Sequence, residues 1–164
     1  MTRVIKTGRQ DIYIRHVERA EANRDEETDG EPDDEADDRD TNYFFKYQYE
    51  LFSFAAILGF LRDKKVDEDA TYGQDIRKVG DIAEDNRHRQ TIDFLTSIVQ
   101  VRHETNEDGA WEEILRYADA GVKIFDDETD DDLDFVRFVE DASNDIWEKR
   151  LEETVGTPGD VGSL

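Results

Sequence analysis

The pattern of apolar and polar positions divides the chain into helical stretches joined by acidic segments. The densest apolar stretch runs from Tyr43 to Leu61, and its apolar side chains recur at spacings of three and four residues on more than one side. A helix that is apolar on most faces is normally buried, with other helices packed around it. The sequence therefore predicts a mostly α fold, a compact helical domain of about four to five helices around a central apolar helix at residues 43–62.

Helical spacing continues on both sides of the central stretch. Residues 11–22 have apolar positions at helical spacing, and Thr91 is a suitable N-cap for a helix over residues 92–103, on which Phe94 and Val101 flank the main apolar stripe. A further helix starts near Ala110, and Gly121 ends or kinks it. The last helix runs over residues 133–153. The remaining predicted N-caps are Thr41 or Asn42 for the central helix and Asp131 or Asp132 for the last one.

Acidic and glycine-rich segments set the expected domain boundaries. Residues 23–42 hold eleven acids against two arginines and have no large apolar side chain, so we expect a disordered acidic linker. The expected organisation is an N-terminal amphipathic segment at 1–22, this linker at 23–42, a helical domain at 43–153 and a flexible tail at 154–164.

The charge balance is strongly acidic, with a net charge of -23, and arginine outnumbers lysine 14 to 7. Carboxylates spread over every predicted helix surface resemble the proteome-wide habit of salt-loving archaea, where they keep proteins soluble at molar salt. We interpret the acidity as a halophilic adaptation, which says little about partners. The alternative is that the acids serve to bind a partner.

Few classes of site chemistry fit the remaining residues. Cysteine is absent, which excludes disulfides, thiolate zinc sites and a cysteine nucleophile. His16, His88 and His103 are scattered, and Glu107 stands where a zinc-protease motif beginning at His103 requires its second histidine. Two calcium-loop candidates, starting at Asp25 and Asp126, fail at their closing positions, Ala36 and Arg137. We therefore expect no catalytic, cofactor-binding or metal-ligating residues, and no cofactor.

Two groups of basic residues leave a nucleic-acid contact open. One extends from Arg3 to Arg19, and the other is the triplet at residues 87–89. Phosphate-binding surfaces carry denser basic clusters than these, so we favour ordinary surface arginines that pair with nearby carboxylates. We also expect a cytoplasmic protein, because the chain opens without an apolar signal-peptide core and its longest apolar run, residues 51–61, is too short to cross a bilayer.

Two short motifs resemble a known family. The first is the segment FSFAAILGFLRDKKV, with Phe54, Ala55, Ala56 and Gly59 followed by the basic residues Arg62, Lys64 and Lys65. The second is ILRYADAGVKIF, with Tyr117, Ala118 and Gly121, and the segment at residues 76–95 lies between them. Together they are similar to the DNA phosphorothioation-associated (dnd system-associated) protein 4 family, over roughly residues 43–126.

The resemblance implies an accessory role in a DNA phosphorothioation-linked restriction-modification or antiviral defence system. It supplies no catalytic residues. We therefore expect a non-enzymatic subunit or regulator that acts by protein–protein interaction with other proteins of that system, without direct DNA binding. The alternative is an acidic DNA mimic that occupies a nucleic-acid-binding partner. The structural interpretation of Gly59 and Gly121 is that they allow close helix packing.

Overall fold

Helices make up most of the described chain, as the apolar periodicity predicted. The computed structural model describes residues 2–19, 44–67, 72–129 and 135–155, which divide into two units at residues 1–124 and 125–164. The described residues form five helices and four short strands, in the order β1 Val4–Thr7, α1 Gln10–His16, β2 Val17–Arg19, β3 Phe45–Tyr47, α2 Gln48–Leu61, β4 Gln74–Lys78, α3 Arg87–Arg102, α4 Glu107–Glu128 and α5 Phe135–Val155.

The central helix is present but begins later than predicted. Residues 45–47 form β3, so α2 starts at Gln48, and Thr41 and Asn42, which lie outside the described residues, do not cap it. Glu50 stabilises the start instead, because its Oε2 accepts hydrogen bonds from the backbone N–H groups of Lys46 and Tyr47 at 2.7 and 3.2 Å. Most of α2 is buried, as expected for a central apolar helix, including Leu51, Phe52, Ala55, Ala56 and Leu58.

Two small sheets connect distant parts of the first unit, and neither was predicted. β1 pairs antiparallel with β4, placing Val4 opposite Lys78. β2 pairs parallel with β3, placing Val17 opposite Phe45. The helix predicted over residues 11–22 is therefore wrong at residues 17–19, because the chain forms β2 there and pairs with β3.

The N-terminal residues belong to the first unit rather than forming a separate segment. Ile5, Ile12, Tyr13 and Val17 are all almost fully buried. Burial of four large side chains contributes several kcal/mol, at about 1.5–3 kcal/mol each. The described part of the predicted N-terminal segment at 1–22 thus packs within the first unit. The predicted linker at 23–42 lies outside the described residues.

The remaining helix boundaries differ from the predictions at their ends. Asn86 caps α3 by accepting from the His88 backbone N–H at 2.9 Å, so Thr91 lies inside the helix. α4 continues through Gly121 to Glu128, so Gly121 does not end it, and the boundary between the two units falls within this helix. α5 runs from Phe135 to Val155, so residues 154 and 155 of the predicted tail at 154–164 are helical. The predicted caps Asp131 and Asp132 and the rest of that tail lie outside the described residues.

The second unit contains aromatic packing of its own. Phe125, at the end of α4, contacts the rings of Phe135 and Phe138 edge to face, with centroids 6.4 and 5.4 Å apart. No helix in the described part of the chain combines the length and the apolar character that crossing a membrane requires.

Candidate functional site

The small residues of both family-like motifs meet where α2 crosses α4. A side-chain carbon added to Gly59 would overlap the backbone carbonyl oxygen of Tyr117. One added to Gly121 would overlap the carbonyl oxygen of Ala55 and lie 2.8 Å from the backbone nitrogen of Gly59. The two glycines therefore let the helix backbones touch, as the structural interpretation of the motifs predicted.

The basic end of the first motif is bound to α4. Lys65 pairs with Glu113 at 2.7 Å, and Arg116 pairs with the same carboxylate at 2.7 Å. Arg116 also donates through Nε to the carbonyl oxygen of Val66 at 2.8 Å. Burial by itself raises the pKa of Glu113, but Lys65 and Arg116 together lower that pKa below its ordinary value. This network fastens the segment after α2 to the face of α4.

The tyrosine of the second motif completes the same contact. Its ring lies edge to face against Phe60, with centroids 5.5 Å apart, and its hydroxyl is 3.2 Å from Nε2 of His103. Burial raises the pKa of Tyr117, although the charges of Arg102 and Lys65 lower it in part. His103, which follows α3, thus has a structural contact with the motif tyrosine of α4.

Most basic residues singled out by the sequence are paired with acids, as favoured above. Arg3 and Arg89 both contact Asp93, at 2.6 and 2.9 Å, and Arg89 also donates to the carbonyl oxygen of Val79 at 2.7 Å. Lys6 lies 3.7 Å from Asp75. Such pairing leaves these cations less available to phosphate groups.

Ser53 and His88 form a contact that sequence reasoning missed. The Ser53 hydroxyl lies 2.6 Å from Nδ1 of His88 and 3.0 Å from the carbonyl oxygen of Glu50. Tyr49 packs edge to face on the His88 ring, with centroids 6.1 Å apart. A serine nucleophile must be reachable by substrate, but Ser53 is only 3% exposed. The pair is better suited to joining α2 to the start of α3.

Asp119 is a buried carboxyl that the sequence did not distinguish from the other acids. It accepts from the Thr7 hydroxyl at 2.6 Å and from the Gly8 backbone N–H at 2.8 Å. Burial raises its pKa above the ordinary value, while those two hydrogen bonds and the charge of Arg9 lower it in part. Asp119 therefore fastens the turn after β1 to α4.

An open cleft of about 640 Å³ lies beside this turn, between β1 and α4. Three of its charged side chains have protein partners, because Lys6 lies near Asp75 while Glu113 and Arg116 pair with each other. Trp111 donates through Nε1 to the carbonyl oxygen of Val4 at 3.3 Å. These polar groups are used within the protein, whereas the Tyr72 hydroxyl in the lining is buried without a hydrogen-bond partner among the described residues. The lining residues are Thr2, Val4, Lys6, Tyr72, Trp111, Glu112, Glu113, Leu115 and Arg116.

The outward side of α3 exposes large apolar side chains. Phe94 is 68% exposed and Val101 is 79% exposed. At 100° per residue these two positions and the half-buried Ile98 share one stripe, opposite the buried stripe of Ile92, Leu95 and Val99. The sequence placed Phe94 and Val101 beside the main stripe, but only the packing shows that they face away from the core.

In the part of the chain that the structure describes, no group of three or more histidine or acidic side chains is arranged to hold a metal ion. The calcium-loop candidate at Asp126 begins in helical backbone, since α4 extends to Glu128.

Comparison of the chain with protein-family models, with curated proteins and with solved structures gave no match.

Proposed function

We propose that the chain is an accessory, non-enzymatic subunit or regulator of a DNA phosphorothioation-linked restriction or antiviral defence system, and that it acts by protein–protein contact in the cytoplasm of a halophile. The system is suggested by the two motifs centred on Gly59 and Gly121. The mode of action is supported by one observation above others, the exposure of Phe94 and Val101 on α3. Exposed apolar groups that recur on one helix are characteristic of protein-binding surfaces.

The contacts of the chemically versatile residues support a non-enzymatic role. Ser53 and His88 join two helices, His103 contacts Tyr117, and Asp119 holds the turn after β1. Each of these groups has a packing role that explains its position. The ion pairs of Arg3 and Arg89 with Asp93 likewise support contact with proteins rather than with DNA.

The proposal is tested by isolating the chain with its partners. An epitope-tagged chain, expressed from its own locus and purified at the salt concentration of the host, is expected to bring down phosphorothioation or restriction proteins. The same purification from an untagged strain is the control. Recovery of the tagged chain alone, from a lysate that contains those proteins, would refute the assigned system.

A complementation experiment separates the adaptor from an enzyme. A strain without the gene is expected to lose restriction of unmodified DNA, and both the natural chain and Ser53→Ala are expected to restore it. The alanine variant removes the hydroxyl that faces His88 and keeps the helix. A folded Ser53→Ala protein that binds its partners but fails to restore restriction would favour catalysis.

A further inference from the structure

The helix α3 has two apolar sides, and packing within the described chain accounts for one of them. Ile92, Leu95 and Val99 are buried within the first unit, to which α3 belongs. On the other side, Phe94, Ile98 and Val101 repeat at i, i+4 and i+7, which is the anchor spacing of helices that bind in grooves or against other helices. A single exposed apolar residue is ordinary on a protein surface, but a stripe of three on one helix is not.

The α3 residues of this outward face include no carboxylate, in a chain whose net charge is -23. Within about 60° of Phe94 on the helical wheel lie Arg87, Gln90, Thr91, Ser97, Ile98 and Val101, none of which is acidic. The one acid of α3, Asp93, is bound by Arg3 and Arg89. The stripe is therefore an apolar and weakly cationic surface on a strongly acidic protein.

The charged residues near this face favour one kind of binding partner over another. Arg87 lies at one end of the stripe, and Arg102, which is 46% exposed and also pairs with Asp63 at 3.3 Å, lies at the other. Antiparallel pairing with a second copy would place Arg87 beside Arg102 of the second copy, and two chains of net charge -23 would approach each other. A helix with apolar anchors between acidic ends pairs with the arginines, so it avoids the repulsion of arginine by arginine at the contact.

We infer that the outward face of α3 docks an amphipathic helix of a partner protein, in which apolar anchors at i, i+4 and i+7 are flanked by carboxylates. This face is defined by Arg87, Phe94, Ile98 and Val101. The inference deepens the proposed function and rests on its claim that the chain acts by protein contact. Phe94 and Val101 supply the buried apolar contact, and the arginines at the two ends pair with the flanking carboxylates of the bound helix.

Site-specific photo-crosslinking in the full chain tests the inference. Benzoylphenylalanine replaces Phe94 in one tagged protein and Ile14, which is 55% exposed on α1, in the matched control. Both are expressed in the organism that carries the gene and irradiated at host salt. We expect an adduct from position 94 that position 14 does not form. Mass spectrometry should map it to an acidic amphipathic helix of another protein.

Several results would overturn the inference. These are equal adducts at both positions, no adduct at position 94, attachment to a second copy or another part of this chain, and attachment to a segment without flanking acids. If the mapped helix is acidic and amphipathic but belongs to a protein unrelated to phosphorothioation, the docking surface stands and the assigned system fails. The two proposals therefore fail in distinguishable ways.

Surface variants provide a quantitative check on the identified partner. Phe94→Ser combined with Val101→Ser is expected to weaken binding at least about tenfold, because central apolar anchors carry most of the binding energy. Arg87→Glu is expected to weaken it with a loss that shrinks as salt rises. Ile14→Ser is the control and should bind as the natural chain does. Unchanged affinity in the folded double variant would refute a role for this face.

Discussion

At the scale of single residues, burial distinguishes a few polar side chains from the many exposed side chains of the same type. Asp119 is only 3% exposed, and it binds Thr7 and Gly8 from more than 100 positions along the chain. Its charge also acts on two tyrosines. Burial first and Asp119 second raise the pKa of Tyr13 well above its ordinary value, and the same causes act on Tyr72. One buried acid thus influences several groups around it.

The titration of Tyr72 gives a prediction with a definite sign. Its pKa is raised from 10.0 to about 12, so between these values the folded chain keeps a proton that the unfolded chain has lost. The stabilisation is fully present below pH 10 and is lost as the pH rises to about 12. Tyr72→Phe removes this contribution. Unfolding free energies measured by tryptophan fluorescence between pH 9 and pH 12 should therefore fall more steeply for the natural chain than for the variant.

Parallel slopes for the two proteins would contradict the altered titration of Tyr72. Tyr13 is present in both proteins and contributes equally to each, so the difference between the slopes isolates Tyr72. The absorbance of tyrosinate provides an independent readout, because the natural chain should show a late ionisation that the variant lacks.

At the scale of elements, the crossing of α2 and α4 organises the first unit. Gly59 and Gly121 allow backbone contact, and Tyr117 and Lys65 close the contact at its edge. The residues that resemble a family motif therefore have a shared structural role. The C-terminal end of α2 is capped by the backbone: Asp63 has a positive φ of 51°, and the Lys64 N–H donates to the carbonyl oxygen of Gly59 at 2.9 Å.

Alanine substitutions test the helix crossing. Gly59→Ala and Gly121→Ala place a methyl group against rigid backbone, so each is expected to lower the free energy of unfolding by about 3 kcal/mol. Gly73→Ala and Gly80→Ala are matched controls, because an added side-chain carbon has no neighbour within 4 Å at either position. The controls should stay within about 1 kcal/mol of the natural chain. Chemical unfolding of all four variants provides the comparison.

A different ranking would reject the close crossing. If Gly59→Ala and Gly121→Ala unfolded at the same denaturant concentration as Gly80→Ala, the two helices would have to be farther apart than the structure shows. An increase in helix content at unchanged stability would point the same way.

At the scale of the whole molecule, the excess of acid governs the response to salt. Because the chain has 44 acidic and 21 basic side chains, folding brings many negative charges closer together than in the unfolded chain. The ion pairs described above neutralise only some of these acids. Self-repulsion therefore opposes folding in dilute buffer, and mobile ions reduce it.

The melting temperature is accordingly expected to rise as potassium chloride increases from 0.1 to 2 M, since the screening length falls from about 10 Å to below about 3 Å. Melting followed by circular dichroism measures the effect. Sucrose at matched water activity is the control for exclusion of solute from the protein surface. A melting temperature that stays constant or falls with potassium chloride would contradict a fold limited by charge repulsion.

The amino-acid sequence by itself determined the helical class, the central position of α2 and the packing role of the two motif glycines, Gly59 and Gly121. Helical periodicity and small residues are local features, so they can be read without knowing what lies nearby. Boundaries were less accurate, because aromatic residues such as Phe45 and Tyr47 suit a strand as well as a helix. The other acids of α4 could likewise not be told apart from Asp119 by the local sequence.

Only the tertiary structure decided which distant segments pair and which apolar residues remain outside. β1 and β4 are each five residues or shorter, and they are separated by most of the first unit, so no local pattern specifies their register. The bond between Thr7 and Asp119 likewise joins positions 112 apart. Phe94 and Leu95 are both apolar neighbours in sequence, but the packing of α3 buries Leu95 and leaves Phe94 in solvent. Burial depends on the surrounding elements, which is why the candidate docking face could be recognised only in the folded chain.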